Sequence, residues 1–179
     1  MNNDVTRTLK EGFNILTVEE IKQLPAKTKD QITDLMCAGF EPLHDNLIIR
    51  EMFPDTRTMG PLIFKGAMVM RHLNGCVEGD NWIALQVEDG RVIATCSLNR
   101  SLSTHELGYS YFLYVDKAYR LRGRATALFA EVMNFACEQG MTLIETDEVT
   151  KMESAFYATT GAKYWVNDKD NSCHRIKLA

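Results

Sequence analysis

The amino-acid sequence predicts an α/β layered domain with a mixed, mostly antiparallel sheet flanked by helices. Three observations carry this expectation. Two apolar runs of strand length flank Asp89-Gly90, a pair that favours a tight hairpin turn. The apolar period then switches from two to about 3.6 residues after residue 124. A further strand pattern follows that helix, so a strand–helix–strand unit stands beside the hairpin.

Each element follows in order. Phe13–Thr17 reads as a short first strand, with helical patches at about 18–24 and 28–38, the second carrying Ile32, Leu35 and Met36. Two more helices are expected around Leu47–Phe53 and Leu62–Leu73. The apolar residues on many sides of the latter (Leu62, Ile63, Phe64, Met68, Val69, Met70) favour burial in the core. Trp82–Val87 and Arg91–Cys96 form the hairpin, and aromatic-rich Leu107–Val115 is the fourth strand. Ala125, Leu128, Phe129, Val132 and Ala136 make a helical stripe that Gly140 ends. Thr142–Thr146 is the next strand, Lys151–Thr160 a short helix, and Lys163–Val166 and Cys173–Leu178 the last two strands. All four prolines lie at or before Pro61, so the later elements run uninterrupted. The 179 residues suit a single domain (1–179), with a polar tail over about 1–12 and a helical region over about 18–81.

Composition narrows the partners. Hydrophobic residues make up 45% and charged residues 25%, which argues against disorder. A net charge of −4 offers no general attraction to nucleic acid or anionic lipid, so neither is expected as a partner. No apolar run approaches the roughly 20 residues that span a membrane. The N-terminal residues lack the basic start and apolar stretch of a secretory signal, and a cytoplasmic location is expected. Five scattered cysteines with no Cys-x-x-Cys spacing read as buried free thiols in a reducing compartment. Four dispersed histidines lend a metal site little support.

One segment departs from the acidic average. Lys117, Arg120, Arg122 and Arg124 crowd a turn that joins a strand to a helix. Such a turn exposes unpaired N–H groups at the positive end of the helix dipole. Gly123 lets an anion approach the backbone, Ala125 keeps the first turn small, and the arginines add charge-assisted donors. A pyrophosphate suits this arrangement; the competing reading is a set of solvated loop cations.

Arg120-x-x-Gly123-x-Ala125, between a strand ending in Val-Asp and an amphipathic helix, resembles the signature of the GNAT N-acetyltransferase superfamily. Ala155–Ala162, with Tyr157 four residues before Gly161, is similar to that family's second motif. The element order agrees over about residues 13–178. The resemblance implies a GNAT-like sheet of six to seven strands, splayed between the fourth and fifth. It implies acetyl-CoA as cosubstrate, no metal, and an amine acceptor that is a small molecule or a peptide. Backbone amides from Leu121 through Arg122, Gly123 and Arg124 to Ala125 would hold the pyrophosphate, with Arg120 and Thr126 beside them. Leu113, Tyr114 and Val115 would line the pantetheine arm, with an N–H near Leu113 polarising the thioester.

The resemblance makes Tyr157 the acid that protonates the departing thiolate. Phenol and thiol pKa values, near 10 and 8.5, lie close enough for that role; the alternative is a tyrosine packed beneath the sheet. Tyr109 occupies the position where some relatives carry a strand glutamate. Glu106 is therefore the candidate base, with His105, Glu145 and Asp147 as competitors. Lys117 stands where many relatives have proline, and Thr150 lies near the position of a frequent asparagine. Glu41, Asp45, Glu51, Asp55, Glu78 and Asp80, beside Phe53, Phe64, Met68 and Met70, would suit a cationic amine with an apolar portion; the competing and favoured reading is solvated charges above a packed core. The leading expectation is an N-acetyltransferase working by direct transfer in a ternary complex. The alternative is a non-catalytic acyl-CoA-binding sensor or interaction module. A homodimer stays open.

Overall fold

The computed structural model of the chain describes residues 7–75, 79–147, 156–160, 163–166 and 172–178. Strand β1 (Gly12–Thr17) runs into helix α1 (Val18–Lys22), whose start is fixed by a capping box. Thr17 accepts from the Glu20 amide, and the Glu20 carboxylate accepts from the Thr17 amide at 2.8 Å. Helices α2 (Ala26–Phe40), α3 (Leu47–Met52) and α4 (Pro61–Asn74) follow, each within a few residues of its expected bounds. Pro61 at the first turn of α4 removes a donor that would be unpaired there anyway.

The hairpin pairs β2 (Asn81–Glu88) with β3 (Arg91–Arg100). Asp89 and Gly90 both take positive φ, 52° and 69°, the two-residue geometry that matches strand twist. Strand β3 runs four residues beyond its expected end because Ser97–Arg100 pair with β4 (Leu107–Val115) despite their mixed polarity. Helix α5 (Arg124–Glu138), β5 (Leu143–Asp147), β6 (Lys163–Val166) and β7 (Ser172–Lys177) complete the labelled elements. Of the short helix expected at 151–160, residues 156–159 are helical; its earlier part, Thr150, Gly161 and Ala162 lie outside the described residues.

The seven strands form one sheet in the order β1-β2-β3-β4-β5-β7-β6. Every pair is antiparallel except β4–β5. Strand β2 is buried on both faces. Ile83, Leu85 and Val87 meet α2 and α4, whereas Ala84 joins Cys96, Leu98 and the Leu128, Val132 and Ala136 stripe of α5. Helix α4 corrects one expectation: Phe64, Met68 and Val69 are buried, but Leu62, Ile63 and Met70 are exposed. Only one face of α4 can contact the sheet, so the remaining apolar side chains stay outside. Among the described residues no helix is long and apolar enough to cross a membrane, and no group of three or more His, Cys, Asp or Glu is placed to hold a metal.

Candidate active site

The basic segment is built as a turn around the end of β4. Asp116 caps a single 3-10 turn, Lys117–Tyr119, by accepting from the Ala118 amide at 2.9 Å. Arg120 folds back so that its Nε donates to the Val115 carbonyl at 2.9 Å, with its guanidinium 4.9 Å above the Tyr114 ring. Leu121 and Gly123 both take left-handed φ, 60° and 71°. Gly123 is the N-cap of α5 and, having no side chain, gives that terminus no cap, so the first-turn amides have no partner from the cap residue. A Cβ on Gly123 would meet nothing within 4 Å, so open space lies against the backbone where an anion would sit.

A cleft of about 330 Å³ opens at this turn. Every residue that the sequence assigned to cofactor contact borders it except Arg122, and Phe156 forms its far side. The cations themselves need correction, because they are not four free charges. Arg120 clamps the backbone, and Arg124 lies 2.5 Å from the Glu88 carboxylate. The Arg124 Nε is nonetheless out of solvent with no acceptor among the described residues. Arg122 is exposed, 5.9 Å over Tyr119, and Lys117 is exposed as well.

Strand β4 supplies the second part of the site. Its parallel pairing with β5 runs, among the described residues, from Leu107↔Leu143 to Ser110↔Thr146. On its other edge the register with β3 slips between Thr95↔Tyr114 and Ser97↔Tyr111. Phe112 and Leu113 thus oppose Cys96 alone, and Phe112 takes φ 54°. This is a bulge, and it turns backbone groups out of the ladder where the thioester is expected.

A second cleft, about 460 Å³, lies on the α2 side of the same strand and shares Leu113, Tyr114 and Arg120 with the first. Gly39 of α2 makes room here, since a Cβ would sit 2.9 Å from the Tyr114 Cγ. Phe40, Phe112 and Leu43 wall this cleft, with His72 and Thr95 at its floor. His72 is buried and lies 2.6 Å through Nδ1 from the Ser97 Oγ and 3.3 Å through Nε2 from the Thr95 Oγ1. Burial pulls its pKa down to about 3, which keeps the imidazole neutral.

The acidic acceptor surface expected over 18–81 does not assemble at this cleft. Of its carboxylates only Glu41 borders the cleft among the described residues. Asp55 pairs with Arg71, Asp80 with Arg100 at 3.6 Å, and Phe64 and Met68 are in the core. Glu78 lies outside the described residues. Phe40, His72 and Phe112 were missed as site residues. Only the glycine before Phe40 signalled a close approach.

Tyr157 is 1% exposed and stacks among Phe129, Phe156 and His174, with ring centroids 5.4, 5.3 and 5.7 Å away. Its neighbour Phe156 borders the cleft at the α5 N-terminus. Glu106 is not brought there. It is exposed, just before β4, and at about 3.3 Å per residue it stands roughly 20 Å along the strand from Phe112. His105 shares that end. Glu145, opposite Tyr109, is paired with Arg175 at 2.6 Å. The Asp147 side chain lies outside what is described.

Residues 78–161 match the family model described as Acetyltransferase (GNAT) domain. The matched segment, just under half of the chain, is similar to a GNAT acetyltransferase domain. A GNAT-family acetyltransferase from Staphylococcus aureus Mu50 is 19% identical, with 93% of this chain and 99% of that one aligned and a TM-score of 0.58. The PaiA N-acetyltransferase from Thermoplasma acidophilum, solved with coenzyme A, is 13% identical over 92% and 98% of the two chains, TM-score 0.57. An aminoglycoside 6'-N-acetyltransferase complexed with coenzyme A is 13% identical over 93% and 97%, TM-score 0.57. These similarities establish the GNAT fold. No curated protein sequence matches the chain significantly.

Proposed function

We propose that this GNAT domain moves an acetyl group from acetyl-CoA to a primary amine by direct transfer in a ternary complex. The observation that carries the reading is the meeting of the two clefts at Leu113 and Tyr114, beside the bulge. The chain acts as one catalytic domain, whose 18–81 region furnishes the acceptor side through α2.

The α5 N-terminus, from Leu121 to Thr126, holds the pyrophosphate through amides and dipole, and Gly123 supplies the close approach. Leu113 to Val115 line the pantetheine arm in the splay, and the bulged backbone near Leu113 donates to the thioester oxygen. Tyr157 protonates the departing sulfur, its ring held by Phe129 of α5. A covalent acyl-enzyme gains no support from Cys96, whose buried thiol is pushed up to about 12 and is a poor nucleophile.

Thiol release from acetyl-CoA over a panel of amines tests the reading. Wild type turns over at least one primary amine. Tyr157→Phe keeps the buried ring and loses about 10²-fold or more in kcat. An unchanged kcat removes Tyr157 from the acid role. Acetyl-CoA binding without release from any amine would favour a non-catalytic acyl-CoA-binding module.

A further inference from the structure

The cleft on the α2 side of β4 has the chemistry to select its acceptor, granted the transfer reading above. Its walls are apolar and aromatic: Phe40 and Phe112 meet edge to face with centroids 4.8 Å apart, and Leu43 closes the same side. Its floor is polar at one place. Thr95 and Ser97 stand two residues apart on β3, flanking the position where the β4 bulge occurs, and their hydroxyls bracket the His72 ring. That ring reaches the floor from α4 and lies 5.7 Å from the Phe112 ring. The imidazole therefore lies beside the side chain of Phe112, one of the two bulged residues of β4, on the side from which an attacking nitrogen would arrive.

Charge around this cleft is distributed against a cation. Glu41 is the one carboxylate bordering it among the described residues; it belongs to the mouth, is mostly exposed and faces Lys65 at 3.7 Å. Lys117 and Arg120 border the same opening. An ammonium driven to the floor would be buried without a counter-ion, a placement that costs several kcal/mol. A neutral amine needs only an acceptor for its N–H.

We infer that the acceptor is a primary monoamine with an apolar body of aromatic size, bound as the free base with its N–H held by His72 Nε2. In the tautomer this requires, Nδ1–H donates to the Ser97 Oγ, and the amine N–H takes the place of the Thr95 hydroxyl that lies 3.3 Å from Nε2 in the free protein. Phe40 and Phe112 hold the apolar body. During transfer the C–N bond forms as the C–S bond breaks. The nitrogen gives up one proton, the sulfur gains one, and the amide and free thiol balance without a further reactant. His72 orients the nitrogen lone pair toward the carbonyl carbon. Polyamines and aminoglycosides, with several charges each, are disfavoured at this floor.

The test compares 2-phenylethylamine, spermidine and kanamycin as acceptors for the full chain, by thiol release, with acetyl-CoA binding followed by calorimetry. The monoamine is expected to have a kcat/KM at least about tenfold above either polycation. His72→Leu is expected to lower that value about tenfold, the worth of one hydrogen bond, with Kd for acetyl-CoA unchanged. His72→Gln, which can still present an acceptor, recovers part of the loss, a pattern that a packing role alone does not produce. Ser97→Ala frees the tautomer and lowers kcat/KM in the same direction with milder disturbance of the core. Preference for spermidine or kanamycin in wild type overturns the inference, and that comparison does not depend on any variant folding. Equal kcat/KM in wild type and His72→Leu overturns it too. If wild type neither binds acetyl-CoA nor releases thiol, the transfer reading fails first and this inference falls with it.

Discussion

His72 holds an unprotonated imidazole among Phe40, Phe112 and two hydroxyls, and that has a consequence for stability. Its pKa falls from 6.5 to about 3 on folding because burial penalises the charged ring. Between those values the unfolded chain takes up a proton that the folded chain refuses. Stability therefore rises with pH across that window and is lost as acid is added, at on the order of 1 kcal/mol per pH unit. Urea denaturation at neutral pH and at pH 5 should show this loss in wild type and a flatter dependence in His72→Gln; equal slopes would refute it. Cysteine gives a second prediction at this scale. Cys137 is exposed, Cys37 half-buried and Cys96 buried, so the expectation of uniformly buried thiols fails for the first two. Peptide mapping after brief alkylation of the native chain should find Cys137 labelled and Cys96 protected until denaturant is added.

At the scale of the elements, the two clefts depend on how closely α2 approaches β4 and on where β4 leaves its neighbours. Gly39→Ala should force Tyr114 away, because the new Cβ would meet Cβ and Cγ of that ring rather than its mobile end. We expect a loss of about 1–3 kcal/mol in thermal or urea denaturation and a raised KM for acetyl-CoA. An unchanged KM would show that Tyr114 does not shape the shared wall. The elements were legible where local chemistry determines them. Asp89-Gly90 announced the hairpin, and the change of period announced α5. The β4 bulge was not legible, since Tyr111-Phe112-Leu113 reads as uninterrupted strand and the slip is fixed by pairing with β3. Glu106 failed as a cleft residue for a related reason. Counting back along the sequence identified a carboxylate, whereas the extended strand carries it to the far end of the sheet.

Across the whole molecule, β4 stands at the centre of the sheet, bulged on its β3 edge and paired in parallel with β5 on the other. The cleft at the α5 N-terminus was readable because a glycine, a helix start and a basic cluster fall within a few consecutive residues. The cleft on the α2 side was not, because Phe40, His72, Thr95 and Phe112 come from four elements and meet only through the fold. Among the described residues the acidic side chains over 41–80 pair locally or face solvent, as the reading of solvated charges above a packed core had it, and the cleft on the α2 side is apolar.

Calorimetric titration of wild type, Gly123→Asn and Gly123→Glu with acetyl-CoA tests most directly the proposed seat of the pyrophosphate at the α5 N-terminus. Asparagine tolerates the left-handed backbone at this position, so Gly123→Asn controls for strain. Wild type should bind, Gly123→Asn should bind more weakly, and Gly123→Glu, which sets a carboxylate in the open space against the helix, should give no binding. Wild-type affinity in Gly123→Glu would contradict the account.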